Sequence, residues 1–144
     1  SFCKTCGCLT ENMYCGNCLK SNKSICVVVN YKNALQLTHS LHDFSGTYHI
    51  LGSTISPAKN QSIDINRLLD RITENTQEVI ITCDATVEGD ATAHFIRHAC
   101  DQLKQQKNYS LEVTRLSFGL PMGNALEYVD GVTISYAFNS RKQF

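Results

Sequence analysis

The sequence has little charge and no excess of either sign. Thirteen Lys and Arg stand against thirteen Asp and Glu, and charged residues make up only 18% of the 144 residues, below the usual quarter. A formal charge of zero argues against a protein that holds nucleic acid by bulk charge alone. Apolar residues, at 42%, are still too frequent for a disordered chain and suffice for the core of one compact unit, or of one domain with a small appendage.

The sequence also lacks tryptophan and long apolar runs, and it contains only two prolines. No window reaches 18 consecutive apolar residues, so we expect no membrane-spanning helix and no membrane partner. The first residues, Ser1 to Lys4, show no basic segment followed by an apolar stretch, which argues against a secretory leader. The most unusual number in this plain composition is that of the cysteines, of which there are eight.

Five of the eight cysteines crowd into the first eighteen residues. Two C-x2-C pairs, Cys3 with Cys6 and Cys15 with Cys18, are separated by eight residues. A C-x2-C turn directs two thiolates at one tetrahedral ion, and four thiolates close the coordination of a structural zinc. The spacing therefore predicts a four-Cys zinc knuckle over residues 1–23 that binds one Zn²⁺ per chain.

A disulfide framework is the alternative use of these cysteines. The even number favours it, and the missing leader opposes it. Cys8, beside the first pair, is expected to be a spare thiol. Cys26, Cys83 and Cys100 are expected to be buried thiols, because Cys26 and Cys83 lie within apolar runs, where a thiol is a small hydrophobic side chain.

From residue 24 onward, short β-branched runs alternate with helical periodicity. The run at 25–29 is continuous, as in a strand covered on both faces, whereas the apolar residues of 65–72 follow helical spacing. Strands are predicted at 25–29, 48–51, 78–83 and 111–116, and helices at 34–44, 65–72 and 92–103. This β-α-β-α-β-α-β order predicts an α/β domain over residues 24–118, with a parallel sheet and helices on both faces.

The last segment, residues 119–144, breaks this pattern with a turn containing glycine and proline. It then carries six apolar or aromatic residues, which are Tyr128, Val129, Val132, Ile134, Tyr136 and Phe138. So many apolar residues in a terminal arm indicate docking onto a surface. From the residues alone two outcomes stay open, exchange with another subunit or a return to the core of the same chain.

A cluster of carboxylates follows the third predicted strand. Asp84, Glu88 and Asp90 lie at a strand's carboxyl end and a helix amino terminus, where the helix dipole partly offsets their repulsion. Such a cluster can bind Mg²⁺, which takes one or two carboxylates and keeps several waters, or it can be an ordinary acidic first turn. The wider segment 64–90 holds seven acidic residues and two arginines, a charge of −5.

Several short motifs stand in a characteristic order along the chain. They are the two C-x2-C pairs, the run 25–29, Gly46-Thr47-Tyr48-His49-Ile50-Leu51, Ile55-Ser56-Pro57, Thr86-Val87-Glu88-Gly89-Asp90-Ala91-Thr92-Ala93, Arg115, Gly119-Leu120-Pro121-Met122-Gly123, Leu126-Glu127-Tyr128-Val129-Asp130 and Arg141. With these motifs in this order, the sequence resembles the RecR family of bacterial recombination mediators. The resemblance implies a zinc element, a Toprim domain and a C-terminal arm exchanged between subunits. The family's amino-terminal helix-hairpin-helix, which contributes to DNA contact and ring closure, has no counterpart in these residues, as in a trimmed chain or an unusually short member.

The resemblance also implies a function. It points to a non-enzymatic mediator of recombinational DNA repair, located in the cytoplasm with the nucleoid, that works with RecO and RecF to load RecA on gapped or single-stranded DNA. Asp84, Glu88 and Asp90 would then form the surface that docks RecO, because charge complementarity governs the choice of partner. A homodimer or tetramer is expected, with aromatic residues of the arm as contacts.

The Toprim fold also serves nucleases and primases, so a metal-dependent phosphoryl-transfer enzyme is the alternative. Such enzymes need a glutamate after the first strand as acid or base, and an Asp-x-Asp after the third strand to hold the metal. Here Asn30 takes the first position, and at the second Asp84 has Thr86 as its partner. We therefore expect no enzyme, and we expect Zn²⁺ rather than Mg²⁺ as the bound ion.

Contact with single- or double-stranded DNA has to use local basic patches. The candidates are Lys20, Lys23 and Lys32 beside the knuckle, with Arg141 and Lys142 in the arm. The alternative is that these are solvated surface residues. The expected binding is weak, salt-sensitive and independent of sequence.

Overall fold

The computed structural model describes residues 23–40, 44, 46–56, 63–83, 86–116, 138–139 and 141–143. Strands and helices alternate along these residues: β1 Ser24–Val28, α1 Tyr31–Ser40, β2 Thr47–Ile50, α2 Asn66–Arg71, β3 Glu78–Ile81, α3 Val87–Lys107, β4 Glu112–Arg115 and the short β5 Lys142–Gln143. The β-α-β-α-β-α-β order predicted from the sequence is confirmed.

The five strands form one sheet in the order β2-β1-β3-β4-β5. The pairings of β1 with β2, β1 with β3 and β3 with β4 are parallel, whereas β5 runs antiparallel to β4. The chain therefore winds first to one side of β1 and then to the other. In open α/β sheets, the carboxyl edge at such a reversal is where ligands bind.

The sheet separates two apolar clusters, because successive side chains of a strand point to opposite faces. On one face, Val27 of β1 packs with Leu68 of α2 and Ile96 of α3. On the other face, Val28 packs with Leu37 of α1. Helices therefore cover both faces, as the continuous apolar run of β1 predicts.

The three cysteines of the described residues are buried free thiols, as predicted. Burial raises the pKa of Cys100 to about 12 and raises that of Cys26 far above its ordinary range. Because the thiolate is the reactive and metal-binding form, Cys26 and Cys100 act here as small apolar side chains. The four predicted zinc ligands and Cys8 lie outside the described residues.

The entry into β2 requires a glycine. A Cβ atom added to Gly46 would lie 2.4 Å from the carbonyl oxygen of Ser24 and 2.5 Å from the ring of Phe44. Such distances are far inside van der Waals contact, so any larger residue would force the start of β2 away from β1. This close approach gives a physical reason for the glycine that opens the motif of residues 46–51.

α3 is the longest of the described helices, with 21 residues. It buries Ala93 and Ile96 against the sheet, while Arg97 and Asp101 form an exposed ion pair on its outer side. Within the described parts of the chain, neither α3 nor another helix is long and apolar enough to cross a membrane.

The described end of the arm returns to the chain's own sheet. Phe138 is buried in the cluster on the α1 face, with its ring centroid 5.1 Å from that of Phe44 in an edge-to-face arrangement. Lys142–Gln143 then pairs with β4. Of the two outcomes left open for the arm, residues 138–139 and 141–143 take the return to the same core, while residues 117–137 lie outside the described residues.

Candidate functional site

The carboxyl ends of the four parallel strands meet at one edge of the sheet. Asn30 follows β1, the loop 51–55 follows β2, the first turns of α3 at 86–92 follow β3, and Arg115 ends β4. We call these four pieces the carboxyl edge. The loop 51–55 is fixed at its start, because the backbone N–H of Leu51 donates to the carbonyl of Val28 at 2.9 Å.

Asn30 caps the first helix at this edge. Its Oδ1 accepts a hydrogen bond of 2.9 Å from the backbone N–H of Asn33, which satisfies one of the donors left unpaired in a first helical turn. Catalytic Toprim domains carry a glutamate acid or base at this position. In this chain the position holds a capping amide, which cannot exchange a proton with a substrate.

Thr86 caps the amino terminus of α3 in the same way. Its backbone is extended, and its Oγ1 accepts a hydrogen bond of 3.0 Å from the backbone N–H of Gly89. A threonine at such a position stabilises a helix by about 1 kcal/mol relative to alanine. The position of the second metal-binding aspartate of catalytic Toprim domains therefore holds a hydroxyl that is engaged in capping.

Glu88 and Asp90 both lie in the first turn of α3, where the positive end of the helix dipole stabilises carboxylates. Residues two positions apart on a helix do not face each other, so these two side chains point in different directions. The structure thus confirms that both residues lie in the first turn of α3, but their carboxylates do not face one common point. Asp84, the third predicted acidic residue, lies outside the described residues.

Asp90 is bound by Arg115. The Nη1 of Arg115 donates to Oδ1 of Asp90 at 2.7 Å, and Nε2 of His94 lies 3.5 Å from the other carboxylate oxygen. The hydrogen bond from Arg115 is the main reason why the pKa of Asp90 is lowered below its ordinary value. Asp90 is therefore held ionised beside a fixed counter-charge from β4.

Thr92 ties the loop after β2 to α3. Its hydroxyl donates to the carbonyl of Glu88 at 2.7 Å and accepts a hydrogen bond of 2.9 Å from the backbone N–H of Ile55. Thr92 is fully buried, so both bonds are shielded from competing water. The loop 51–55 and the acidic turn of α3 are thereby held together.

The predicted DNA-binding residues that the structure describes do not all lie at one edge of the sheet. Lys23 precedes β1 and Lys32 lies in the first turn of α1, so these two exposed residues are at opposite ends of β1. The backbone of Lys142 pairs with that of Arg115 in the sheet. Lys20 lies outside the described residues.

Arg141 binds within the chain. Its Nε and Nη2 donate to the two carboxylate oxygens of Glu78 at 2.6 and 2.9 Å, and its Nη1 donates to the carbonyl of Phe138 at 2.9 Å. Burial raises the pKa of Glu78, but the hydrogen bonds from Arg141 and Thr114 outweigh burial and lower it. We call Glu78, Thr114, Phe138 and Arg141 the arm latch, because they fasten the end of the arm to the sheet. Any DNA contact by Arg141 would compete with this ion pair.

Two arginines have structural roles that the sequence did not reveal. From the sequence, Arg115 was one of the ordered motifs but had no assigned role. Arg71 of α2 entered only as one of the two arginines in the charge of segment 64–90. Arg71 is 5% exposed and donates to Oγ1 of Thr47 at 2.7 Å and to the carbonyl of Tyr48 at 2.9 Å. The one available signal was the polar pair Thr47 and His49 inside a buried strand, since buried polar groups require partners.

Within the described ranges, no three His, Cys, Asp or Glu side chains form a group that could hold a metal ion. Cys3, Cys6, Cys15 and Cys18, the predicted zinc ligands, lie outside those ranges.

Two family models match the chain. The Toprim domain model matches residues 23–116, and the model described as RecR, C-terminal, matches residues 119–142. Three similar proteins all bear the name Recombination protein RecR. That of Protochlamydia amoebophila is 37% identical, that of Desulforudis audaxviator 36% and that of Leifsonia xyli 38%, each over 99% of this chain and 72% of its own length. The Toprim match over most of the chain, the adjoining RecR match and these relatives together show that the chain belongs to the RecR family of recombination proteins.

Proposed function

We propose that this chain is a non-enzymatic mediator of recombinational DNA repair, and that its carboxyl edge docks a protein partner. The observation that carries the proposal is the use of Asn30 and Thr86 as helix caps. At both positions a catalytic Toprim domain needs a carboxylate, and here both side chains are engaged in holding helices. The edge that results lacks the first-strand glutamate and the second aspartate that phosphoryl transfer requires, and its remaining carboxylates are suited to binding a partner.

The proposed partner at this edge is RecO, with RecF in some settings, and the outcome is the loading of RecA on gapped or single-stranded DNA. Glu88 supports the docking role, because it is a partly exposed carboxylate in the first turn of α3. Its neighbour Val87 is 68% exposed and offers an apolar contact beside the charge. Asp84 and Asp90 complete the proposed docking surface, although the charge of Asp90 is partly neutralised by its ion pair with Arg115.

Replacing Glu88 by alanine is expected to weaken the association with RecO by about tenfold at low salt and by less at physiological salt, because exposed charge pairs are screened. Co-elution of the two purified proteins on a sizing column, at two salt concentrations, measures the change. Glu74→Ala is the matched control, since Glu74 is an exposed glutamate in the turn that precedes β3, at the opposite edge of the sheet. Equal association of Glu88→Ala and the parent protein, with zinc content unchanged in both, would refute the docking role of Glu88.

The remaining parts of the proposal concern regions around the Toprim domain. We propose that Cys3, Cys6, Cys15 and Cys18 bind a structural Zn²⁺. We also propose weak DNA contact by Lys20, Lys23 and Lys32, together with Arg141 and Lys142 of the arm. A homodimer or tetramer would arise if the arm of one chain made its latch contacts on the sheet of another. The same side-chain pairs would then form between chains instead of within one.

A further inference from the structure

The carboxyl edge contains a cation that belongs to the protein itself. The guanidinium of Arg115, at the end of β4, bonds to Asp90 in the first turn of α3 at 2.7 Å. This contact fastens the first turn of α3 to the last residue of β4, at the opposite end of α3 from the segment that connects the two elements in sequence. It lies at the edge where catalytic relatives of the Toprim fold place a divalent metal ion among their carboxylates.

The described side chains of this edge do not suit Mg²⁺. That ion needs near-octahedral oxygen ligands, usually one or two carboxylates that converge on one point. Asn30 and Thr86 direct their oxygens at backbone N–H groups of α1 and α3. One oxygen of Asp90 is occupied by Arg115, and Glu88 points in another direction.

We propose that the Arg115 guanidinium takes the place of the divalent cation at the carboxyl edge and holds the acidic turn of α3 in position without metal. Arg115 is thus a positioning residue that acts through Asp90. A guanidinium stays charged at every physiological pH and donates in a fixed planar geometry, so the edge keeps its shape whatever the concentration of Mg²⁺. This proposal goes beyond the docking function and does not depend on which protein docks.

The test is the binding of Mn²⁺, which prefers the same oxygen ligands as Mg²⁺ and is followed by the loss of its free-ion electron paramagnetic resonance signal. We expect the zinc-loaded parent protein to bind Mn²⁺ only weakly, and Arg115→Gln to bind it about tenfold more tightly, because the carboxylate oxygens lose their internal cation. Arg115→Lys, which keeps the charge, should behave like the parent. Arg97→Gln is the matched control, since its ion pair with Asp101 lies on the outer side of the same helix.

The double variant Arg115→Gln with Asp90→Asn should lose the gained affinity, which a merely structural role of Arg115 would not predict. If Arg115→Gln binds Mn²⁺ no more tightly than the parent, or if Arg97→Gln gains as much, the proposal is overturned. A second measurement needs no variant. The thermal unfolding midpoint of the parent should agree within about 1 °C in Mg²⁺ and in NaCl of matched ionic strength, whereas a rise of several degrees in Mg²⁺ would show a resident metal site and contradict the proposal.

Discussion

Replacing Cys15 by serine is expected to release the proposed zinc ion and to unfold the proposed knuckle. A closed four-thiolate site depends on every ligand, and the metal supplies the folding free energy of such small elements, about 10 to 16 kcal/mol in zinc-finger peptides. Metal analysis of the purified protein should find about one Zn²⁺ per parent chain and far less in the variant. The effect is the largest that we expect from any single substitution in this chain.

Cys8→Ser is the matched control for this experiment. Cys8 lies among the same crowded cysteines but outside both C-x2-C pairs, so its loss should leave the zinc content unchanged. Cys15 is the better residue to remove than Cys6, because Cys8 is close enough in sequence to replace Cys6 as a ligand. Full zinc content in Cys15→Ser, or intact disulfides found by thiol titration of the unfolded parent protein, would contradict the four-Cys assignment.

Removing the cation of the arm latch has the second large expected effect. In Arg141→Met, the carboxylate of Glu78 keeps the hydroxyl of Thr114 but loses its charged partner, and the Glu78 side chain is only 14% exposed. Leaving a mostly buried carboxylate without its counter-ion costs about 3 kcal/mol of unfolding free energy. Urea unfolding followed by circular dichroism measures the loss. Arg97→Met is the control, since its ion pair with Asp101 is about half exposed on both sides and contributes less than about 1 kcal/mol.

The same ion pair predicts a dependence on pH. Because the pKa of Glu78 is lowered in the folded protein, the pair contributes fully above the ordinary pKa of a glutamate and is lost as the pH falls through the lowered value. In Arg141→Met the main lowering influence is gone while the burial remains. The difference in stability between parent and variant should therefore shrink in acid. A difference that stays constant from neutral to acidic pH would show that Glu78 does not depend on Arg141.

The strands and helices could be predicted because their apolar side chains repeat within a few residues. The run at 25–29 and the helical spacing of 65–72 are local patterns, and both correspond to elements of the structure. The ion pairs have no such pattern. Asp90 and Arg115 are 25 residues apart, and Glu78 and Arg141 are 63 residues apart, so only the folded sheet brings them together.

These long-range pairs change the meaning of the charge count. The segment 64–90 carries −5 by sequence, but Glu78 and Asp90 each have an arginine partner from outside the segment. The charge that remains to attract a partner is therefore smaller and depends more on Glu88. In the same way, the sequence showed that Asn30 and Thr86 are not carboxylates, but only the structure shows that both are helix caps.

The central claim is that the carboxyl edge docks a protein and does not cut DNA. The most direct measurement incubates the purified chain with nicked, gapped and supercoiled DNA, with and without Mg²⁺ or Mn²⁺, and applies the same preparation together with RecO to a sizing column. We expect uncut DNA under every condition, together with co-elution of RecO. Metal-dependent cleavage that disappears in Asp84→Ala would contradict the claim and identify the chain as a Toprim nuclease.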